Sequence, residues 1–187
     1  MNVGDNMITL ENIKGTLDKN NKLTDELRDN LYGLIDIFIK RFPDVSLENL
    51  NRNLETLQII KSNKFINKRV SKYNPVTNIL EFNVDKINED YDMKHVMMHE
   101  LLNIITNNGE YCGFNKNNKF VALNEGYAEI ITNYLVGNES DNEYLKDEII
   151  TTNMIALMIG NDVLYDAFFN NNVEILVKNL INEGVEV

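Results

Sequence analysis

Hydrophobic residues recur at spacings of three and four along "LTDELRDNLYGLIDIFIKRF", where Leu27, Leu31, Leu34, Ile35, Ile37 and Phe38 form one stripe. That period predicts an amphipathic helix, with Thr24 placed to cap its start and Pro43 to end it. The residues before it, "MNVGDNMITLENIKGTLDKN", are polar and weakly patterned, so 1–22 read as a loose lead-in. "SLENLNRNL" predicts a second, short helix beginning at Ser46. From about residue 55 the pattern changes to alternation in "TLQIIKSNKFINKRVSKYNPVTNILEFNV". With the turn signal "YNPVTN", it predicts two or three strands and a hairpin.

Residues 92–108 predict a helix of another kind. Asp92 can cap its start, "NNG" at 107–109 stops it, and Met93, Val96, Met97, Met98, Leu101, Leu102, Ile104 and Ile105 surround it almost completely. A helix apolar on all sides is a buried one. "KFVAL" at 119–123 reads as a short strand or extended run, and "NEGYAEIITNYLVG" as a helix capped by Asn124 and ended by Gly137. "NEYLKDEIITTNMIALMIG", "DVLYDAFF" and "NVEILVKNLI" predict three further helices. The order is lead-in (1–22), helix plus small sheet (23–90), then a mostly helical lobe (91–187), an α+β arrangement in one domain with no internal repeat.

Composition narrows the partners. At 187 residues, 43% hydrophobic and 25% charged, the chain is an ordinary globular one. Its net charge is -11, and residues 139–187 hold ten acids against two lysines. That concentration of negative charge excludes nucleic acid as the main partner. "KSNKFINKRVSK" carries five basic residues and no acid; we read it as a solvated strand face and not as an anion-binding patch. The single cysteine, Cys112, cannot form an intramolecular disulfide, and neither a leader pattern nor a long apolar run is present. The expectation is a cytoplasmic protein that does not span a membrane. Asparagine occurs 32 times. We read that as a compositional bias placed in loops and on exposed faces, which lowers the weight of any one asparagine.

The candidate chemistry lies on the buried helix. The chain's two histidines are both in "HVMMHELLN", and residues four apart drift by about 40°, so His95, His99 and Asn103 share a row while Glu100 points to the side. Buried titratable groups need partners. On the following helix Glu125 falls in the first turn behind Asn124, near the positive end of the helix dipole, and Glu129 lies one turn further along the same face. Glu129 is placed to accept the second ring N–H of His99. Cys112 reads as a passive thiol, and Tyr111, Tyr127 and Tyr134 as packing residues before oxyanion donors.

"HELLN" followed by "LNEGYAE" resembles the gluzincins, the thermolysin-like zinc metallopeptidases, whose pattern is H-E-x-x-H on one helix and N-E-x-x-x-(D/E) on the next. The stretch from about residue 75 to 180 is also similar to small peptidase-like proteins of low-GC bacteria and their mobile elements. The resemblance implies a zincin-like fold and a zinc ion held by His99 and Glu125. It also implies Glu100 as the general base and Glu129 as the group that orients His99. Zinc would polarise a peptide carbonyl and acidify its bound water while Glu100 takes the proton. The ligand would be a peptide or protein.

The pattern departs at Asn103, where the second zinc histidine belongs. Three readings follow. Asn103 or a water completes the metal shell; or His95 pairs with His99, which leaves Glu100 about 6 Å too far along the axis; or the metal is gone. In the third case His99, Asn103, Glu125 and Glu129 form a hydrogen-bonded network, and the protein is a degenerate peptidase with weak or no activity, or a non-catalytic binding module. We place the third reading ahead of the first and the second last.

Overall fold

A computed structural model describes residues 8–62, 70–83, 92–137 and 145–184. Its first helix, α1 (Leu10–Lys19), corrects the expectation of a loose lead-in over 1–22. A reciprocal capping box starts it: Asn12 N–H donates to Thr9 Oγ1 at 3.3 Å, and Thr9 N–H donates to Asn12 Oδ1 at 2.9 Å. Ile13 and Leu17, one turn apart, are fully buried against the next two helices. A single apolar pair in a polar stretch is too short a stripe to register as a period.

α2 (Asp25–Arg41) matches its prediction, with Thr24 Oγ1 accepting from Leu27 N–H and Leu31, Leu34, Ile35 and Phe38 buried. α3 (Glu48–Leu54) is the short helix expected after Ser46. β1 (Gln58–Ser62), β2 (Ser71–Asn74) and β3 (Ile79–Asn83) form a sheet in the order β1-β3-β2. The expected hairpin joins β2 and β3 antiparallel, with Ser71 opposite Phe82 and Asn74 opposite Ile79. Asn74 Oδ1 takes the Val76 and Thr77 N–H groups in its turn, and Asn78 sits at φ 54°. β1 runs parallel to β3, which leaves β2 at one edge of the described sheet. Most of the basic run, residues 63–69, lies outside the described residues; Lys61 and Lys72 at its ends are exposed.

α4 (Met93–Thr106) is the central helix, capped by Asp92 as expected. Every residue from His95 to Thr106 is buried, because α2, α3, β2 and two later helices enclose it. The last four carbonyls of a helix lack intrahelical donors. Here side chains from other elements reach two of them, Ile104 O and Thr106 O, and the carbonyl of the cap Asn107. Asn53 Nδ2 donates to Ile104 O and Asn107 O, Arg52 to Asn107 O, and Asn171 Nδ2 to Thr106 O.

α5 (Val121–Val136) starts three residues earlier than expected, so "KFVAL" is not a strand: Lys116–Asn118 form a 3₁₀ turn and Val121–Leu123 are helical. Phe120, in the left-handed region at φ 57°, precedes the helix, and Asn124 N–H already donates to Phe120 O. Asn124 is therefore not the cap. α6 (Lys146–Ile159), α7 (Asn161–Phe169) and α8 (Val173–Asn182) complete a fold of eight α-helices and three strands among the described residues, an α+β protein. Phe114, Tyr127, Phe168 and Phe169 form an aromatic cluster beneath the end of α4. The apolar run in α6 lies on the surface, with Met154 and Leu157 exposed. Among the described residues no helix is long and apolar enough to cross a membrane.

α5 and α6 meet at Gly126, where a Cβ would collide with the backbone carbonyl of Glu148 and with Thr152 Oγ1. Gly126→Ala is expected to destabilise the protein by about 1–3 kcal/mol in urea denaturation, because backbone has to move. Gly33→Ala, on an open face of α2 with nothing within 4 Å, is expected to stabilise by about 0.5–1 kcal/mol. Equal effects at the two sites would refute the tight α5/α6 contact.

Candidate functional site

α4 and α5 lie side by side and antiparallel. His95 meets Glu129, His99 meets Glu125 and Glu129, and Asn103 meets Asn124. The row predicted from the four-residue spacing thus faces one helix. Its members fall into two separate networks.

In the first, the Glu129 carboxylate bridges both histidines. Its Oε1 accepts from His95 Nε2 at 2.7 Å and its Oε2 from His99 Nδ1 at 2.8 Å. His99 Nε2 lies 3.1 Å from Glu125 Oε2. Both ring nitrogens of His99 therefore face carboxylate oxygens, which accept and cannot donate when ionised, so the geometry calls for a proton on each nitrogen. Burial works against the imidazolium, but the hydrogen bonds and charges of Glu125 and Glu129 outweigh it and raise the His99 pKa well above 6.5. For Glu129 burial pushes upward, yet the two histidines hold its carboxyl at about 2. Glu125 is the fifth residue of α5 and not in its first turn. His99, and not the helix dipole, is the charge that meets it in this network.

The second network fixes Asn103. Phe114 N–H donates to Asn124 Oδ1 at 3.0 Å, so the amide nitrogen of Asn124 must point the other way, where it donates to Asn103 Oδ1 at 3.1 Å. Asn103 Nδ2 is thereby turned to Glu100 Oε2 at 3.2 Å, and the other oxygen of Glu100 accepts the Ser71 hydroxyl at 2.6 Å. One backbone N–H thus orients two side-chain amides in sequence. The expected network with Asn103 bonded to a histidine is not what forms: Asn103 bridges Asn124 and Glu100, while Glu129 joins the histidines. Gly113, at φ 50°, makes room for this arrangement, since a Cβ there would strike Asn124 Oδ1 and the Phe168 ring. Burial raises the Glu100 pKa, helped by the Glu125 charge and opposed by His99, Ser71 and Asn103.

Both networks open on one cavity of about 510 Å³. His95, His99, Glu100, Asn103, Glu125 and Glu129, the residues singled out from sequence, all line it. So does the whole run from Val70 to Val76, which includes the edge strand β2. Ser71 was missed by sequence reasoning, although the alternation of β2 holds its signal: Ser71 and Tyr73 are half-buried while Lys72 and Asn74 are exposed. Asn124 is a buried bridge instead of the expected cap, and Asn103 belongs to a hydrogen-bonded network, as the reading placed first has it, but with Asn124 and Glu100 as its partners. Cys112 also lines the cavity; burial pushes its thiol up to about 12, in keeping with a passive role. Tyr111 donates to Asn171 O, Tyr127 packs in the aromatic cluster, and Tyr134 is exposed beside Arg41 and Phe42, so these tyrosines serve structure.

The donor set can be tested for a metal on chemistry alone. His99 Nε2 and Glu125 are placed as two ligands would be. The third position is weaker, because Asn103 Oδ1 already accepts from Asn124 and its N–H groups turn toward Glu100, which leaves one lone pair of a neutral oxygen where the pattern has an imidazole. His95 directs Nε2 into Glu129. As arranged, these residues offer one imidazole, one carboxylate and a neutral amide oxygen, a poorer set for zinc than the gluzincin pattern.

The pH dependence follows with a definite sign. Glu129, held at about 2 against an ordinary 4.5, contributes stability that is complete above about 4.5 and lost as pH falls toward 2. His99, raised above 6.5, contributes stability that is complete below 6.5 and lost as pH rises through its folded value. Glu129→Gln should cost about 3–5 kcal/mol near pH 5.5, since it removes the carboxylate that both buried histidines share, and should flatten the acid limb measured by urea denaturation from pH 5 to 2. A nitrogen-15 spectrum at pH 7.5 should show His99 protonated on both nitrogens. A neutral His99 in that spectrum would contradict this electrostatic account.

No family model matches this chain, and no curated protein and no solved structure matches it, so the gluzincin resemblance rests on the residues of α4 and α5 alone.

Proposed function

We propose that the protein is a degenerate zincin-like peptidase of the gluzincin type, which binds extended peptide segments in its cleft with little or no hydrolysis. The observation that carries this reading is the orientation of Asn103. At the position of the second zinc ligand the chain offers an amide N–H to Glu100 and spends the amide oxygen on Asn124. The gluzincin part of the reading is supported by His99 lying beside Glu125 with Glu129 behind it.

The peptide part of the reading is supported by β2. Among the described residues it pairs with β3 alone, and it lines the cavity, which suits it to take an added strand. The side chains at alternate positions, Ser71 and Tyr73, face inward, and the Tyr73 hydroxyl is held between Asn78 and Asn107. That arrangement keeps the strand in register beside Glu100.

Zinc titration by calorimetry should find no tight one-to-one site at micromolar metal, and a quenched fluorescent peptide library should be cleaved no faster than buffer. Asn103→His is expected to create a zinc site with His99 and Glu125. The substitution breaks the bonds to Glu100 and Asn124 and should cost about 1–3 kcal/mol without metal. Zinc at a hundredfold excess over its Kd should return about 2.7 kcal/mol, seen as a zinc-dependent rise in Tm absent from the parent. Tight zinc binding by the parent, with cleavage abolished in Glu100→Gln, would establish an active peptidase instead. No zinc response in a folded Asn103→His protein would remove the gluzincin reading.

A further inference from the structure

Glu100 stands apart from the other cavity carboxylates. Glu125 and Glu129 are paired with His99, but Glu100, only 4% exposed, accepts solely from neutral donors, Ser71 and Asn103. Among the described residues it has no ion-pair partner. Each of its oxygens accepts one bond and retains a lone pair. A buried carboxylate in that state is costly; the His99 charge offsets part of the cost, and the rest is met by a proton or by a cation brought to it. Lys72 lines the same cavity, yet it is exposed, alternates with the inward-facing Ser71 and Tyr73, and makes no ion pair with Glu100.

A second demand is independent of charge. Asn115 lines this cavity as well, and its Oδ1 is buried with no hydrogen-bond partner. Buried amide oxygens are seldom left so. A positively charged head that carries several N–H donors meets the first demand, and it meets the second where the Asn115 amide turns its oxygen to the cavity. Val70, Val121 and Leu145 give the cavity an apolar wall suited to an aliphatic stem, and Glu110 adds negative charge where the lining is exposed.

We infer that the cleft recognises a basic side chain, lysine or arginine, of an extended peptide, with the cationic head taken by Glu100 and the Asn115 oxygen. This deepens the peptide-binding reading and rests on it for the backbone part alone; the cation site stands on Glu100 and Asn115. It assigns Glu100 a recognition role in place of proton transfer. Charge-assisted hydrogen bonds to a desolvated carboxylate are among the stronger polar contacts.

The experiment is fluorescence polarisation with blocked, labelled pentapeptides Ala-Ala-Xaa-Ala-Ala in which Xaa is lysine, arginine, norleucine or glutamate, with n-butylammonium as a free competitor. The lysine and arginine peptides should bind about 10–100-fold tighter than the norleucine peptide, and Glu100→Gln should reduce that ratio to within about twofold. Equal binding of the lysine and norleucine peptides by the unmodified protein would overturn the cation site while leaving peptide binding in place, and it needs no variant. Binding of butylammonium that depends on Glu100, with no peptide bound, would uphold the cation site and remove the peptide reading. Absence of binding by every peptide and by butylammonium would overturn both. Should Glu100→Gln fail to fold, the lysine-to-norleucine ratio on the parent decides the question.

Discussion

The bridge from Glu129 to His95 and His99 is the interaction on which the site's geometry depends. α4 is apolar around its whole circumference apart from a few polar side chains, and two imidazoles buried in it require a counter-charge. Glu129 supplies it from α5 at hydrogen-bond distance to both. Two bonds to residues one turn apart fix the antiparallel alignment of the helices as well as their separation. Once Glu129 is set between His95 and His99, Glu125 must fall beside His99, and Asn124 must fall beside Asn103. The second network therefore inherits its register from the first. Gly126, one residue beyond Glu125, turns the opposite side of α5 to α6 at backbone contact.

Buried amides perform a related task at the far end of α4. Asn53, Arg52 and Asn171 occupy its terminal carbonyls, Asn107 reaches back to Tyr73 and Pro75 in the hairpin, and Asn78 ties that hairpin to α3 through Asn53 O. Asn20 joins the α1–α2 turn to Leu54 O and Leu57 O at the start of β1. Each such bond contributes about 0.5–1.5 kcal/mol net, whereas a buried carbonyl left alone costs about 1–3 kcal/mol. The asparagine abundance read as loop and surface bias is thus corrected in part: Asn20, Asn53, Asn78, Asn103, Asn107 and Asn124 are all buried. An amide donates and accepts at once, so it can stitch elements that meet through their backbones.

These two mechanisms explain what could be read from the letters. α2, the hairpin, α7 and α8 announce themselves because each buries a run of side chains with one period, and α4 because it is apolar all round. The caps Thr24 and Asp92 sit where α2 and α4 begin, while α6 is legible from its apolar run although that run lies mostly on the surface. The histidine and glutamate residues were legible as a group because a buried helix cannot hold them without partners. α1 was not, since its burial rests on Ile13 and Leu17 in a stretch otherwise polar. Asn124 looked like a cap because caps and buried amides share a residue type, and only the position of Phe114 N–H distinguishes them. Ser71 is 29 residues from Glu100, and sequence spacing holds no measure of that distance across the α4/β2 contact.

A cluster that holds His99 between two carboxylates is poised between two occupants. The same oxygens that would share a metal with an imidazole also stabilise a proton on it, and for a metal to bind, the ring must first lose that proton. Each unit by which the His99 pKa exceeds the ambient pH adds about 1.4 kcal/mol to that exchange. With a third strong ligand the metal gains far more than the proton, and the carboxylates serve it. With asparagine at 103, its oxygen already engaged, the gain shrinks to what one imidazole and Glu125 can give, while the proton keeps both of its hydrogen bonds. On the reading proposed here, Asn103→His would change which ion the cluster prefers, while the Glu129 bridge that pairs the helices stays as it is.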